Sequence, residues 1–117
     1  MSTSGWVGVD LDGTLAVYEG SGHNFIGAPV PLMVARVKAW LAEGVEVRIV
    51  TARANILSYL SHADFMSDMQ EIRNWCKEHV GQELQITCSK DFGMVEIWDD
   101  RAVGVEMNTG RRLDGKE

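Results

Sequence analysis

No apolar run among the 117 residues approaches the roughly 20 needed to cross a bilayer, so a membrane partner is not expected. The opening Met1-Ser2-Thr3-Ser4-Gly5 has no basic segment leading into an apolar one, the pattern a secretory signal requires. Cysteine is scarce. Cys76 and Cys88 lack the paired spacing of a metal site, and the expectation is two free thiols in a cytoplasmic protein. His23, His62 and His79 show no ligand spacing either. Basic side chains are outnumbered eleven to seventeen, for a net charge of −6. That balance disfavours broad binding along a nucleic-acid backbone. It leaves room for a local site where a cation and a few basic groups overcome the average. There is no internal repeat, low-complexity stretch or linker, so residues 1–117 are expected to form a single domain. At 45% hydrophobic residues the chain can build a core, which excludes wholesale disorder.

The most informative stretch is Trp6-Val7-Gly8-Val9-Asp10-Leu11-Asp12-Gly13-Thr14-Leu15. An apolar run ends in two aspartates one residue apart, then Gly-Thr. Side chains alternate along a strand, so Asp10 and Asp12 point to the same side where the strand ends. Gly13 lets the backbone turn sharply. Two neighbouring carboxylates repel unless a cation lies between them, and this arrangement suits Mg²⁺ and phosphate chemistry.

Further along, a Gly-rich loop of roughly 15 residues leads to Gly27-Ala28-Pro29. It is long for a compact domain and is a candidate flap over the site. Val30, Met33, Val34, Val37 and Leu41 recur at helical spacing, with Pro31 suited to the first turn and Gly44 to the position past the end. Val45 to Thr51 is β-branched and reads as a strand. A second helix is expected from Ser67, where Ser67 and Gln70 form a capping box. Its apolar stripe is Met69, Ile72, Cys76 and Val80, with Gly81 at its end. Leu84 to Cys88 and Met94 to Trp98 read as strands three and four. Ala102 to Val105 reads as a short fifth, and the tail from Asn108 as polar and frayed. Strand–helix–strand–helix–strand implies an α/β domain with a mainly parallel sheet, three-layered and Rossmann-like. Asp10, Asp12, Thr51, Asp99 and Asp100 then all fall at carboxyl ends of strands, where ligands of such folds bind. Trp6, Trp40, Trp75 and Trp98 fall on core elements and read as packing rather than base-stacking platforms.

Val9-Asp10-Leu11-Asp12-Gly13-Thr14 resembles the first motif of the haloacid dehalogenase-like phosphohydrolases. Ile49-Val50-Thr51 resembles their second motif, Lys90 their third and Ile97-Trp98-Asp99-Asp100 their acidic fourth. The four stand in the family's order over residues 7 to 100. Thr51-Ala52-Arg53, Pro29-Val30-Pro31 and Trp98-Asp99-Asp100-Arg101 favour small capless members from phages and bacteria, and the 3′-phosphatase domain of polynucleotide kinase-phosphatases. The gaps between motifs leave no room for a cap domain.

This resemblance implies a Mg²⁺-dependent phosphomonoester hydrolase. Asp10 would be the nucleophile that forms an aspartyl-phosphate. Asp12 would protonate the leaving oxygen and then deprotonate the attacking water. In the family, the residue at the place of Asp12 also gives the metal its backbone carbonyl. The family's dehalogenases lack this second aspartate, so its presence favours phosphoryl transfer. Thr51 would hydrogen-bond a phosphoryl oxygen. Lys90 would neutralise developing charge; of the four lysines it alone falls in a loop near a strand end, since Lys38 and Lys77 lie in helices and Lys116 in the tail. Ala52 and Arg53 would contact substrate. Asp10, Asp12, Asp99 and Asp100 would form the metal site. Adjacent residues on an extended chain point in opposite directions, so Asp100 is the expected direct ligand and Asp99 acts through water. Arg101 is expected to pair with a neighbouring acid. The substrate would be a phosphorylated small molecule, such as a metabolite or nucleotide, or a nucleic-acid 3′-phosphate end. Two alternatives stand beside this: a non-catalytic metal- or phosphate-binding module on the same fold, and a phosphotransferase. The oligomeric state is not legible.

Overall fold

The computed structural model describes residues 4–20 and 25–116. Four strands form one all-parallel sheet: β1 (Trp6–Asp10), β2 (Glu46–Val50), β3 (Gln85–Thr87) and β4 (Met94–Trp98), in the order β3-β2-β1-β4. Helix α1 (Pro31–Ala42) joins β1 to β2. Two single turns of 3-10 helix, Ala52–Ala54 and Ile56–Ser58, and then α2 (His62–His79) join β2 to β3. The expected α/β class, the four strands and α1 are all present. No helix of the described residues is long and apolar enough to cross a membrane.

One face of the sheet holds the core. Val7 pairs in register with Val47, Val9 with Ile49, and Ile49 with Ile86, so their side chains share a face. Met33, Val34 and Val37 of α1 and Met69, Ile72, Trp75 and Cys76 of α2 pack into the same cluster. Burying each large apolar side chain contributes about 1.5–3 kcal/mol. Both helices therefore cover one face, as consecutive right-handed crossovers in one direction require.

The opposite face corrects the expectation of three layers. The chain passes from β3 at one edge to β4 at the other through residues 88–93 alone. Such crossovers ordinarily take a dozen or more residues, usually with a helix. Here the link is held flat across the sheet. The Trp6 indole N–H donates to Asp91 at 2.9 Å, Arg48 meets the same carboxylate at 3.5 Å, and the Arg48 guanidinium lies 4.3 Å from the Trp6 ring. No helix of the described residues covers this face.

Two further expectations are corrected. Helix α2 starts at His62 rather than near Ser67, because Ser61 has extended backbone and its hydroxyl accepts from the Asp64 N–H at 3.0 Å. Its end is as expected, with Gly81 at φ +100°. Ala102 to Val105 is not a fifth strand. Its residues are exposed, and Val105 instead bridges Arg112 across a turn, with Asn108 at φ +69° and Gly110 at +79°. The segment from Asn108, expected to be frayed, thus forms an antiparallel turn. The candidate flap and His23 centre on residues 21–24, which lie outside the described residues.

The position of the α2 cap is testable. Ser61→Ala should lower unfolding free energy by about 1 kcal/mol, and Ser67→Ala should change it by less than about 0.5 kcal/mol. Urea unfolding measures both, and a larger loss at Ser67 would restore the later start.

Candidate active site

All strands being parallel, their carboxyl ends share one edge, and a cleft of about 540 Å³ opens there. Its lining includes Asp10 and Asp12 after β1, Thr51, Ala52 and Arg53 after β2, Cys88 after β3, and Asp99, Asp100 and Arg101 after β4. A groove of similar size, about 550 Å³, lies between α2 and β3, but its lining holds a single carboxylate, Glu83, and gathers no acidic pair.

Strand alternation sets the two aspartates of the first loop. Leu11 between them is fully buried, so Asp10 and Asp12 turn away from the core. Gly13 follows at φ +93°, and a Cβ there would lie 2.8 Å from the Asp100 carboxylate. Only glycine allows the β1 and β4 loops to approach this closely. Thr14 links them. Its hydroxyl accepts from the Asp100 N–H at 3.0 Å and lies 3.1 Å from Asp100 Oδ1 and 3.4 Å from Asp10 Oδ2, to either of which it can donate.

Asp10, Asp99 and Asp100 each offer a carboxylate oxygen within 4.8 Å of the others. The Asp10 carboxyl is pushed up to about 7, first by burial, then by the Asp99 charge and by hydrogen bonding and charge from Asp100. Both Asp99 and Asp100 reach the cluster. The chain turns at Asp100–Arg101, and the Arg101 N–H donates to Asp99 Oδ1 at 2.7 Å, so the extended-strand alternation no longer applies. Asp12 stands outside the cluster. Arg53 holds its carboxylate in a fork, Nε to Oδ2 at 2.7 Å and Nη2 to Oδ1 at 2.9 Å.

Arg53 is itself buried, and its Nη2 also donates to the Phe25 carbonyl at 3.1 Å. Thr51 is buried, and its hydroxyl accepts from the Arg53 N–H at 3.2 Å, which leaves its own proton free to donate into the cleft. Lys90 is exposed and is not among the residues lining the cleft. The Arg101 guanidinium, expected to pair with a neighbouring acid, makes no ion pair among the described residues; only its backbone N–H is engaged.

Tyr18, Ser58 and Tyr59 also line the cleft without having been singled out in the sequence, as does Cys88, which the sequence marks only as a free thiol. Ser58 and Tyr59 arrive through the 3-10 turns, which leave no periodic signal. The Tyr59 hydroxyl lies 2.7 Å from the Arg53 carbonyl and 2.8 Å from Asp68, and is pushed up to about 12, chiefly by burial. Both cysteines are free thiols, Cys76 buried and Cys88 exposed.

The crowded cluster makes stability depend on pH. Asp10 binds its proton more tightly folded than unfolded, so stability should fall as pH rises from about 4 to about 7. A divalent cation should offset this. Mg²⁺ should raise the thermal midpoint at pH 8 and do so far less at pH 5, and Asp10→Asn should raise the metal-free midpoint at pH 8. Equal Mg²⁺ effects at both pH values in a melting series would refute this account.

No family profile matches the chain, and no curated protein matches it at a significant level. Among solved structures, the chain is similar to a conserved protein coded by a locus of Bacteroides thetaiotaomicron, at 20% identity and a TM-score of 0.58, over 87% of this chain and 80% of that one. At that identity the likeness speaks for the fold alone.

Proposed function

We propose that this protein is a Mg²⁺-dependent phosphomonoester hydrolase of the haloacid dehalogenase-like type, acting through an aspartyl-phosphate on Asp10. The observation that carries the reading is the meeting of Asp10, Asp99 and Asp100 in one cleft with Thr51, from three different strand ends. The donor set is all hard oxygen, and burial together with the neighbouring acids raises the Asp10 carboxyl, which fits Mg²⁺ better than a softer metal. Bound there, Mg²⁺ would polarise the phosphoryl group and favour ionised Asp10.

The remaining steps fall to the chain. The Asp10 carboxylate attacks phosphorus, and the bond to the leaving oxygen breaks as Asp12 protonates that oxygen. Asp12 then takes a proton from water, whose oxygen attacks phosphorus and frees Asp10 and inorganic phosphate. Thr51 donates its hydroxyl proton to a phosphoryl oxygen. The Ala52–Ala54 turn shapes the wall beside it, and Arg53 positions Asp12. Lys90, which follows Cys88 at the cleft edge by two residues, would add charge by swinging its side chain inward. Among the described residues no cap domain roofs the cleft, which suits substrates ranging from a small phosphorylated metabolite or nucleotide to a nucleic-acid 3′-phosphate end.

Two observations favour a second reading, a non-catalytic phosphate- or metal-binding module. Asp12 is already engaged by Arg53, and Lys90 stands outside the cleft lining. Phosphate release separates the two. The wild type should hydrolyse members of a panel of aryl phosphate, nucleoside monophosphates and 3′-phosphorylated oligonucleotides with Mg²⁺, and none with chelator. Asp10→Asn should abolish turnover while keeping the fold. Turnover surviving in that variant would exclude the covalent route, and no turnover on any compound would favour the binding module.

A further inference from the structure

The cleft lining carries four carboxylates, Asp10, Asp12, Asp99 and Asp100, and two guanidinium groups, Arg53 and Arg101. The two arginines differ in what already holds them. Arg53 is buried and forked onto Asp12. Withdrawing it would strand a charge of Asp12 in a partly buried place, which is strongly unfavourable. Arg101 is exposed, and its guanidinium has no carboxylate or ring partner among the described residues. Its backbone is nonetheless fixed, because its N–H donates to Asp99 at 2.7 Å. The side chain therefore starts beside the acidic cluster and is free to reach into the cleft.

We infer that Arg101 binds the phosphoryl oxygens of the substrate from the same loop that carries Asp99 and Asp100. The inference rests on the phosphomonoester reading above and adds the residue that draws the anion in. Three carboxylates repel a phosphoryl dianion, and one divalent cation offsets only two of their charges. A further cation is needed to make the cleft attractive. A guanidinium offers a planar fork that matches two phosphoryl oxygens, so it orients the group as well as neutralising it. Reaching the phosphoryl group breaks no ion pair of Arg101 among the described residues.

The test compares wild type, Arg101→Ala, Arg101→Lys and Lys90→Ala, each with saturating Mg²⁺. The readouts are steady-state hydrolysis of an aryl phosphate and competitive inhibition by inorganic phosphate. Arg101→Ala should lower kcat/KM by about ten- to a hundredfold and weaken phosphate inhibition in parallel. Arg101→Lys should recover part of both, since a point charge replaces part of the fork. The thermal midpoint should stay unchanged, as expected of an exposed side chain; a purely structural arginine would not alter phosphate affinity at constant stability. If Arg101→Ala keeps both quantities within about twofold of an active wild type, the inference fails, and a selective loss in Lys90→Ala would give the role to Lys90. If the wild type hydrolyses nothing, the hydrolase reading fails and calorimetric titration with inorganic phosphate and Mg²⁺ decides. Phosphate bound by wild type and lost in Arg101→Ala sustains the inference. No binding, or equal binding by both, overturns it.

Discussion

Asp10, Asp99 and Asp100 hold carboxylate oxygens within 4.8 Å of one another, Asp10 half-buried and the other two exposed, so their like charges repel. Nothing in that cluster is favourable on its own account. It exists because a parallel sheet brings the ends of β1 and β4 to one edge and the surrounding structure will not let them part. Gly13 removes the Cβ that would strike Asp100, and the Thr14 hydroxyl ties the two loops together. The repulsion is relieved by a proton on Asp10 or by a cation, and the rest of the site is arranged around that choice.

The sheet is covered unevenly. Both helices pack on the face of Val7, Val9, Val47 and Ile49. On the other face no helix of the described residues packs, and the short link from β3 to β4 crosses it, held by Asp91 to Trp6 and Arg48. A helix in that link would have been the usual solution, but six residues leave no length for one. The Asp91 carboxyl is lowered from its ordinary value, first by the Trp6 indole and then by the Gly93 N–H, as expected of a residue that anchors this strap. The economy of chain carries through to the cleft, whose walls are loops and single 3-10 turns.

The elements that were legible in the sequence are those with strong periodicity. Strands β1, β2 and β4 and helix α1 fall where apolar runs and 3.6-residue spacing put them; β1, β2 and α1 place apolar side chains in the core, while the apolar run of β4 is largely exposed. The start of α2 was missed because Ser61 and Ser67 are both capable caps, and only the backbone at Ser61 is extended. The fifth strand differs because Val103 and Val105 have strand propensity but join no strand of the sheet, Val105 making only an isolated bridge to Arg112. Ser58 and Tyr59 were invisible because the turns that deliver them have no repeating pattern.

Local sequence alone determined which acids leave the sheet and in what order. Alternation about buried Leu11 places Asp10 and Asp12 together, and that rule needs no other part of the chain. How the charges divide was decided by tertiary structure. Arg53, 41 residues from Asp12, takes that carboxylate for itself, while Asp99 and Asp100 come in across the sheet to crowd Asp10. Pairing of charges depends on distances between separate loops, and those distances are set by strand order, which no local pattern encodes.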